Sequence, residues 1–204
     1  MASEVDIVNL ALSHIGQDAG VTAINPPDGS AEAQHAARFY PIARGELLER
    51  HAWRFALTRA SLAELADNPS TVWSYAYGLP NGCLRPLVVL LAGETDDTNG
   101  QKFTIETLTD GSQALLTNAP PGAVLKFIML QTDTAKYTPM FVTALSWYLA
   151  AYLAGPITKN LPLKKDCLVT AEAYRALAAA LDADSENNSP HGDSRVPPHL
   201  KARQ

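Results

Sequence analysis

Leu79-Pro80-Asn81-Gly82-Cys83-Leu84-Arg85-Pro86, followed by the apolar run Leu87 to Leu91, opens the stretch in which the hydrophobic period changes. An acidic polar turn comes next, then Lys102-Phe103-Thr104-Ile105-Glu106 and Ala114-Leu115-Leu116-Thr117-Asn118. Pro120-Pro121-Gly122 leads into a last apolar segment, Ala123 to Gln131. Short apolar runs punctuated by proline and glycine read as strands and turns, while the flanks repeat apolar residues at helical spacing. The spacing predicts a mainly α protein: a bundle of about four long helices with an inserted small antiparallel β-sheet and an extended C-terminal tail. In residue numbers, 1–70 and 132–184 form the helical core, 71–131 the β-rich insertion and 185–204 the tail.

On the N-terminal side, Ser3 is placed to cap a first helix by accepting from the amide of Asp6, whose carboxylate can reach back. Val8, Ala11, Leu12 and Ile15 then fall on one stripe, and Gly16 is a stop. A second helical run, Ala31 to His51, contains Pro41, which removes a backbone donor and predicts a kink or a restart. Alternation in Trp53-Arg54-Phe55-Ala56-Leu57 suggests a short strand, and the capping-box spacing of Ser61 and Glu64 a brief helix.

On the C-terminal side, Thr138-Pro139 opens a third helix and Gly155-Pro156 closes it. Phe141, Leu145, Trp147, Tyr148, Leu149, Tyr152 and Leu153 make it apolar nearly all round, so it is expected at the centre of the core. Its most apolar stretch, Met140 to Ala154, is shorter than the roughly 20 residues a membrane span needs, and no membrane partner is expected. The last helix, about Pro162 to Asp184, carries a narrow seam of Cys167, Ala171, Tyr174, Ala178 and Leu181. Lys164 and Lys165 in its first turn, with Asp182, Asp184 and Glu186 at its end, oppose the helix dipole at about 0.3–1 kcal/mol each. Either this is tolerated, or the ends pair with charges on another chain.

Composition narrows the function classes. A net charge of −5 and a pI near 5.5 lack the basic field of a general nucleic-acid binder. Cys83 and Cys167 form no metal or redox spacing, and the acidic N-terminus lacks the basic region of a signal peptide. There is no dinucleotide fingerprint, phosphate loop, nucleophile elbow or zinc motif among the histidines, so no cofactor and no metal is expected. The Glu94–Gly100 loop fails the calcium register, with Lys102 where glycine is needed and Leu108 where a carboxylate is needed. Glu46 with Glu49, or Asp96 with Asp97, could supply two acids for glycosidic cleavage, though such pairs arise by chance in most proteins. Trp73, Tyr75 and Tyr77 alternate without a basic neighbour, which fits strand packing or an interface anchor better than base stacking. The tail holds Pro190, Pro197, Pro198 and Gly192 with only Val196 and Leu200 as sizeable apolar groups, too little to offset ordering by itself.

Several segments in order carry a resemblance. They are Val5-Asp6-Ile7-Val8-Asn9-Leu10-Ala11-Leu12 with Ile15-Gly16, and His51-Ala52-Trp53-Arg54-Phe55-Ala56. Tyr75-Ala76-Tyr77-Gly78-Leu79-Pro80, Cys83-Leu84-Arg85 and Leu115-Leu116-Thr117-Asn118 follow. Phe141-Val142-Thr143-Ala144-Leu145 and Leu149 to Thr158 complete the set. The chain resembles the head-to-tail adaptors of tailed bacteriophages, of the tail tubular protein A type, over roughly residues 3–184. The resemblance implies a structural virion protein at the head-tail junction, assembled in the host cytoplasm as a ring usually of twelve copies beneath the portal protein. It also implies a next tail component, nozzle or tail tube, below the ring, and genomic DNA passing through the lumen without sequence-specific contact. The tail then reads as a portal-docking segment (Arg195, Val196, Pro197, Leu200, Lys201, Arg203). Contacts between subunits or with the tail component are expected at Trp73, Tyr75, Tyr77, Lys164, Lys165, Asp182 and Asp184. Two other classes stay open: a tail-associated peptidoglycan hydrolase and a monomeric intracellular binding module.

Overall fold

The computed structural model describes residues 2–18, 20–95 and 97–187. The N-terminal helix α1 (Glu4–His14) starts at the anticipated capping box: the Asp6 amide donates to Ser3 Oγ at 3.1 Å and the Ser3 amide to Asp6 Oδ2 at 2.8 Å. Its buried stripe is Ile7, Val8, Ala11 and Leu12. Helix α2 (Ala31–Glu49) is capped by Ser30, which accepts from the Ala33 amide. It runs through Pro41 without restarting, forfeiting the one backbone bond that proline cannot donate.

After α2 the chain enters the strands β1 (Leu57–Ser61), β2 (Ala63–Glu64), β3 (Tyr75–Gly78), β4 (Cys83–Leu90), β5 (Phe103–Thr107), β6 (Gln113–Thr117) and β7 (Val124–Met129). They form two antiparallel sheets, β1-β7-β4 and β2-β3-β6-β5. Helix α3 (Pro139–Leu153), capped by Thr138, and helix α4 (Leu161–Asn187) complete the fold.

Burial arranges these elements as three layers. The first core joins the four helices to the near face of the three-stranded sheet through Ala56, Leu57, Leu84, Leu87 and Ile128. A second core lies between the sheets, where Val89, Leu125 and Phe127 meet Tyr77, Leu115, Phe103 and Ile105. Period-two alternation makes this possible: Phe127 and Ile128 are consecutive on β7 and enter different cores. Leu65, Trp73 and Leu108 pack against Ala76, Ala114 and Leu116 in a small third cluster.

The mainly helical expectation is therefore corrected. The chain is a mixed α and β fold, 46% helix and 21% strand, with sheets of three and four strands. The larger sheet content arises because β1 and β2, which precede residue 71, join the strands of the 79–131 stretch. Two local expectations also change. Arg54–Ala56 forms a 3-10 turn instead of a strand, because the Trp53 carbonyl accepts from the amides of Ala56 and Leu57 and the ladder begins only at Leu57↔Ile128. The brief helix at Ser61 is absent: Ser61 pairs with Val124, the Leu62 amide donates to Ala123 O, and Glu64 pairs with Tyr77. The burial available to Leu62 between two sheets outweighs a local cap spacing.

Candidate functional site: the outward faces of the helical layer

Helix α4 is fastened along its inner side by apolar and polar contacts. Cys167, Ala171 and Ala178 are buried against the helical core, with Leu163 and Tyr174 partly buried there. Tyr174 stacks on Trp147 (6.4 Å between rings, 9°), and Trp147 stacks in turn on His14 of α1 (3.8 Å, 7°). His14 Nε2 lies 3.0 Å from Ser146 Oγ, whose own hydroxyl donates to Thr143 O, so the imidazole is the donor. Burial lowers the pKa of His14, which keeps the ring neutral.

Glu172 ties three helices together. It accepts from Arg50 at the end of α2, from the Tyr148 hydroxyl on α3, and from Arg175 Nε at 2.7 Å on α4 itself. Burial opposes ionisation of this carboxyl, but the Tyr148 and Arg175 hydrogen bonds and the Arg50 charge hold its pKa below the ordinary value. Beside it Tyr152 donates to Glu46 Oε1 at 2.8 Å, and burial together with that bond pushes the phenol up to about 12. Glu46, Arg50, Tyr148, Ala151, Tyr152, Lys164 and Leu168 line a groove of about 270 Å³ between α2, α3 and α4. Further along, Asp182 lies 3.3 Å from His51 Nε2 and accepts from the Arg54 amide at 3.2 Å.

With its inner side engaged, α4 presents a second apolar side outward. Val169 is 63% exposed and Leu177 and Leu181 about half exposed, with Ala173, Ala176, Ala180 and Ala183 exposed among them. Helix α2 presents a different face, where Pro41 and Ile42 are exposed beside Gly45, which has open space where a side chain would stand. The sequence seam of Cys167, Ala171, Tyr174, Ala178 and Leu181 captures α4's inner side and, of the outward residues, Leu181 alone. The outer one has no seam signature because alanine fits buried and exposed positions alike; its mark in the sequence is the lack of charge at 173, 176, 177 and 180.

The expected interface residues divide as follows. Tyr77 is a correction: it is fully buried between the sheets and its hydroxyl donates to Ala119 O at 2.8 Å, so it packs the core and cannot anchor a neighbour. Tyr75 and Trp73 are half-buried, Tyr75 at the margin of the inter-sheet core and Trp73 against Ala76 and Leu116. Next to Trp73, Val72 is the most exposed large apolar residue among the described residues, on a depression shared with Gln101, Lys102 and Asn118. Lys164, Lys165 and Asp184 are exposed, whereas Asp182 is committed within the chain to the 51–54 turn. The residues assigned to portal docking, Arg195, Val196, Pro197, Leu200, Lys201 and Arg203, lie outside the described residues.

Of the paired carboxylates, Glu46 accepts from Tyr152, and Asp97 is held by Arg59 and Lys126; Asp96 lies outside the described residues. Among the described residues, the displaced carboxyls Asp6, Asp28, Asp110 and Glu172 move downward, opposite to what a general acid requires. Among the described residues no cluster of His, Cys, Asp and Glu could hold a metal ion. The stretch Pro139–Thr158 is long and apolar enough to cross a membrane by length and composition, and 56% of it is buried inside the chain. Neither a family model nor a curated protein matches this chain.

Proposed function

We propose that the chain is a ring-forming subunit of a bacteriophage head-to-tail adaptor, a structural component without chemistry of its own. The observation that carries this reading is the pair of unlike apolar faces on the helical layer, α4 with Val169, Leu177 and Leu181, and α2 with Pro41 and Ile42. A closed ring needs two different, complementary surfaces on each copy, because head-to-tail contacts are heterologous. The separate core between the sheets adds support, since a projecting β-layer can meet a further tail component without disturbing the helices. The negative charge of the chain suits a lumen through which DNA slides without being gripped. The resemblance read from the sequence supplies the identity of the neighbours: portal above, nozzle or tail tube below.

Electron microscopy of the full chain mixed with the portal ring of its own virion tests the proposal. A ring of copies seated on the portal is expected. Deleting residues 187–204 leaves the folded layers intact and abolishes attachment. A chain that stays dispersed beside intact portal rings overturns the reading.

A further inference from the structure

We infer that the depression at one end of the four-stranded sheet is a binding site for an acidic saccharide, a pyranose that carries a carboxylate. The inference stands on the 66–74 loop and the neighbouring ends of β5 and β6, and does not depend on the adaptor reading.

Strand β6 lies between β3 and β5 and runs antiparallel to both, so the start of β3, the end of β6 and the start of β5 meet at one end of the sheet. Val72, Trp73, Gly100, Gln101, Lys102 and Asn118 line a cavity of about 470 Å³ there. Small-molecule sites span about 300–1,000 Å³. The walls are fixed by the chain's own hydrogen bonds. Ser70 Oγ accepts from the amides of Val72 and Trp73, both at 3.1 Å, and Asn68 Nδ2 donates to Trp73 O at 2.7 Å. The Ser74 amide donates to Asn118 Oδ1 at 3.0 Å. On the opposite wall the Gln101 amide donates to Val89 O at 2.7 Å and Thr117 Oγ1 to Lys102 O at 2.8 Å. Trp73 packs against Ala76 and Leu116, yet Val72 beside it is 78% exposed, an apolar side chain kept in water by a pinned backbone. A site already ordered in this way avoids much of the entropy cost of binding.

The chemistry of the lining selects the ligand. Trp73 Nε1, Asn118 Nδ2, Gln101 Oε1 and Lys102 Nζ have no protein partner among the described residues. The first two are donors, the third is an acceptor and the fourth is a cation. Trp73 and Val72 supply an apolar patch between them. A pyranose matches this set group by group. Its C–H face suits the indole, an aromatic with an apolar body and a polar handle. Its hydroxyls both donate and accept, as two carboxamides and an indole N–H require. Among the described residues Lys102 is the one charged group on the wall, and it favours a sugar with a carboxylate. A purely apolar peptide side chain would shield these polar groups from water without pairing them. A nucleotide would bring a phosphate toward a chain of net charge −5 with this lysine alone to meet it.

NMR titration of the isotope-labelled full chain is the test. The probes are glucuronate and galacturonate, their neutral parents glucose and galactose, and adenosine monophosphate. The uronates are expected to shift the Trp73 indole N–H resonance, assigned by its loss in Trp73→Phe, and to leave those of Trp53 and Trp147 in place. Their dissociation constant should be on the order of 1 mM, as suits a ligand of so few atoms. Glucose and galactose bind roughly threefold more weakly, the worth of one exposed ion pair. Lys102→Gln, at an exposed position, brings the uronates to that level and leaves the neutral sugars unchanged. Asn118→Asp keeps the oxygen that accepts from Ser74 but loses the donor and repels a carboxylate, so the uronates weaken by about tenfold. No shift at Trp73 with either uronate, equal affinity for charged and neutral sugars, or uronate binding indifferent to Lys102→Gln or Asn118→Asp overturns the inference. Tighter binding of adenosine monophosphate than of the uronates overturns it as well. Portal attachment is read in a separate experiment, so this site and the adaptor reading fail independently.

Discussion

Replacing Trp53 by phenylalanine probes the junction on which the layers meet. Trp53 is fully buried, and its indole nitrogen donates to the Leu47 carbonyl at 2.8 Å. Leu47 is in the last turn of α2, where carbonyls run out of intrahelical donors, so the indole serves as a side-chain cap. The ring also meets Phe141 edge-on at 5.1 Å and His51 at 4.7 Å. Trp53→Phe keeps an aromatic ring but removes the donor, leaving a buried carbonyl unpaired at a cost of about 1–3 kcal/mol. The smaller ring leaves a void of a few tens of Å³, which at about 24 cal/mol per Å³ adds roughly 1 kcal/mol. The sum, about 2–4 kcal/mol, corresponds to a Tm lowered by roughly 4–16 °C in a chain of this size. Differential scanning calorimetry reads it directly. A Tm within about 2 °C of wild type would mean that the indole bond contributes nothing net, and the capping argument would fall.

Two further outcomes follow from other sites. A Cβ added at Gly100 would stand 2.2 Å from Val88 Cγ2, so Gly100→Ala should destabilise by about 1–3 kcal/mol in urea titration, most of it recovered on adding Val88→Ala; strictly additive losses would show that the clash is not the cause. For His14 the folded pKa is below its ordinary 6.5, so the unfolded chain binds the extra proton first. The stability held by neutral His14 is complete above about pH 6.5 and is lost as the pH falls toward the lowered folded value. Urea midpoints should decline across that window in wild type and stay level in His14→Asn, and coincident slopes would refute the assignment. The depressed carboxyls of Asp6, Asp28 and Asp110 act in a separate window, their contribution vanishing as the pH drops below about 4.

Signals confined to one or two turns of chain were legible from the residues. Ser3 and Asp6 form their reciprocal cap, Thr138 and Pro139 open α3, and Phe141 and Leu145 are buried as the all-round apolar pattern requires. What stayed hidden depends on partners distant in sequence. Leu57–Ser61 becomes a strand only because β7, more than sixty residues later, offers it a ladder, and nothing in its own period announces that pairing. The capping-box spacing at Ser61 misled for the same reason. Glu172 gave no sign of joining three helices, since Arg50 and Tyr148 converge on it only once α2, α3 and α4 have packed. Tyr77 looked like a surface aromatic because its face of the sheet is settled by the second sheet, which the local alternation does not reveal.

The middle sheet, covered on both sides, gives the molecule an unusual division of labour. Loops on the outermost sheet can lengthen, shorten or change specificity while the helices keep their packing, because only β7 and its two neighbours touch both interiors. A single-residue slip of β7 would trade Phe127 for Ile128 and damage both interiors at once, so that strand cannot drift. Sequence divergence among descendants of this chain should accordingly concentrate in the 66–74 loop, with Val124–Met129 left nearly untouched.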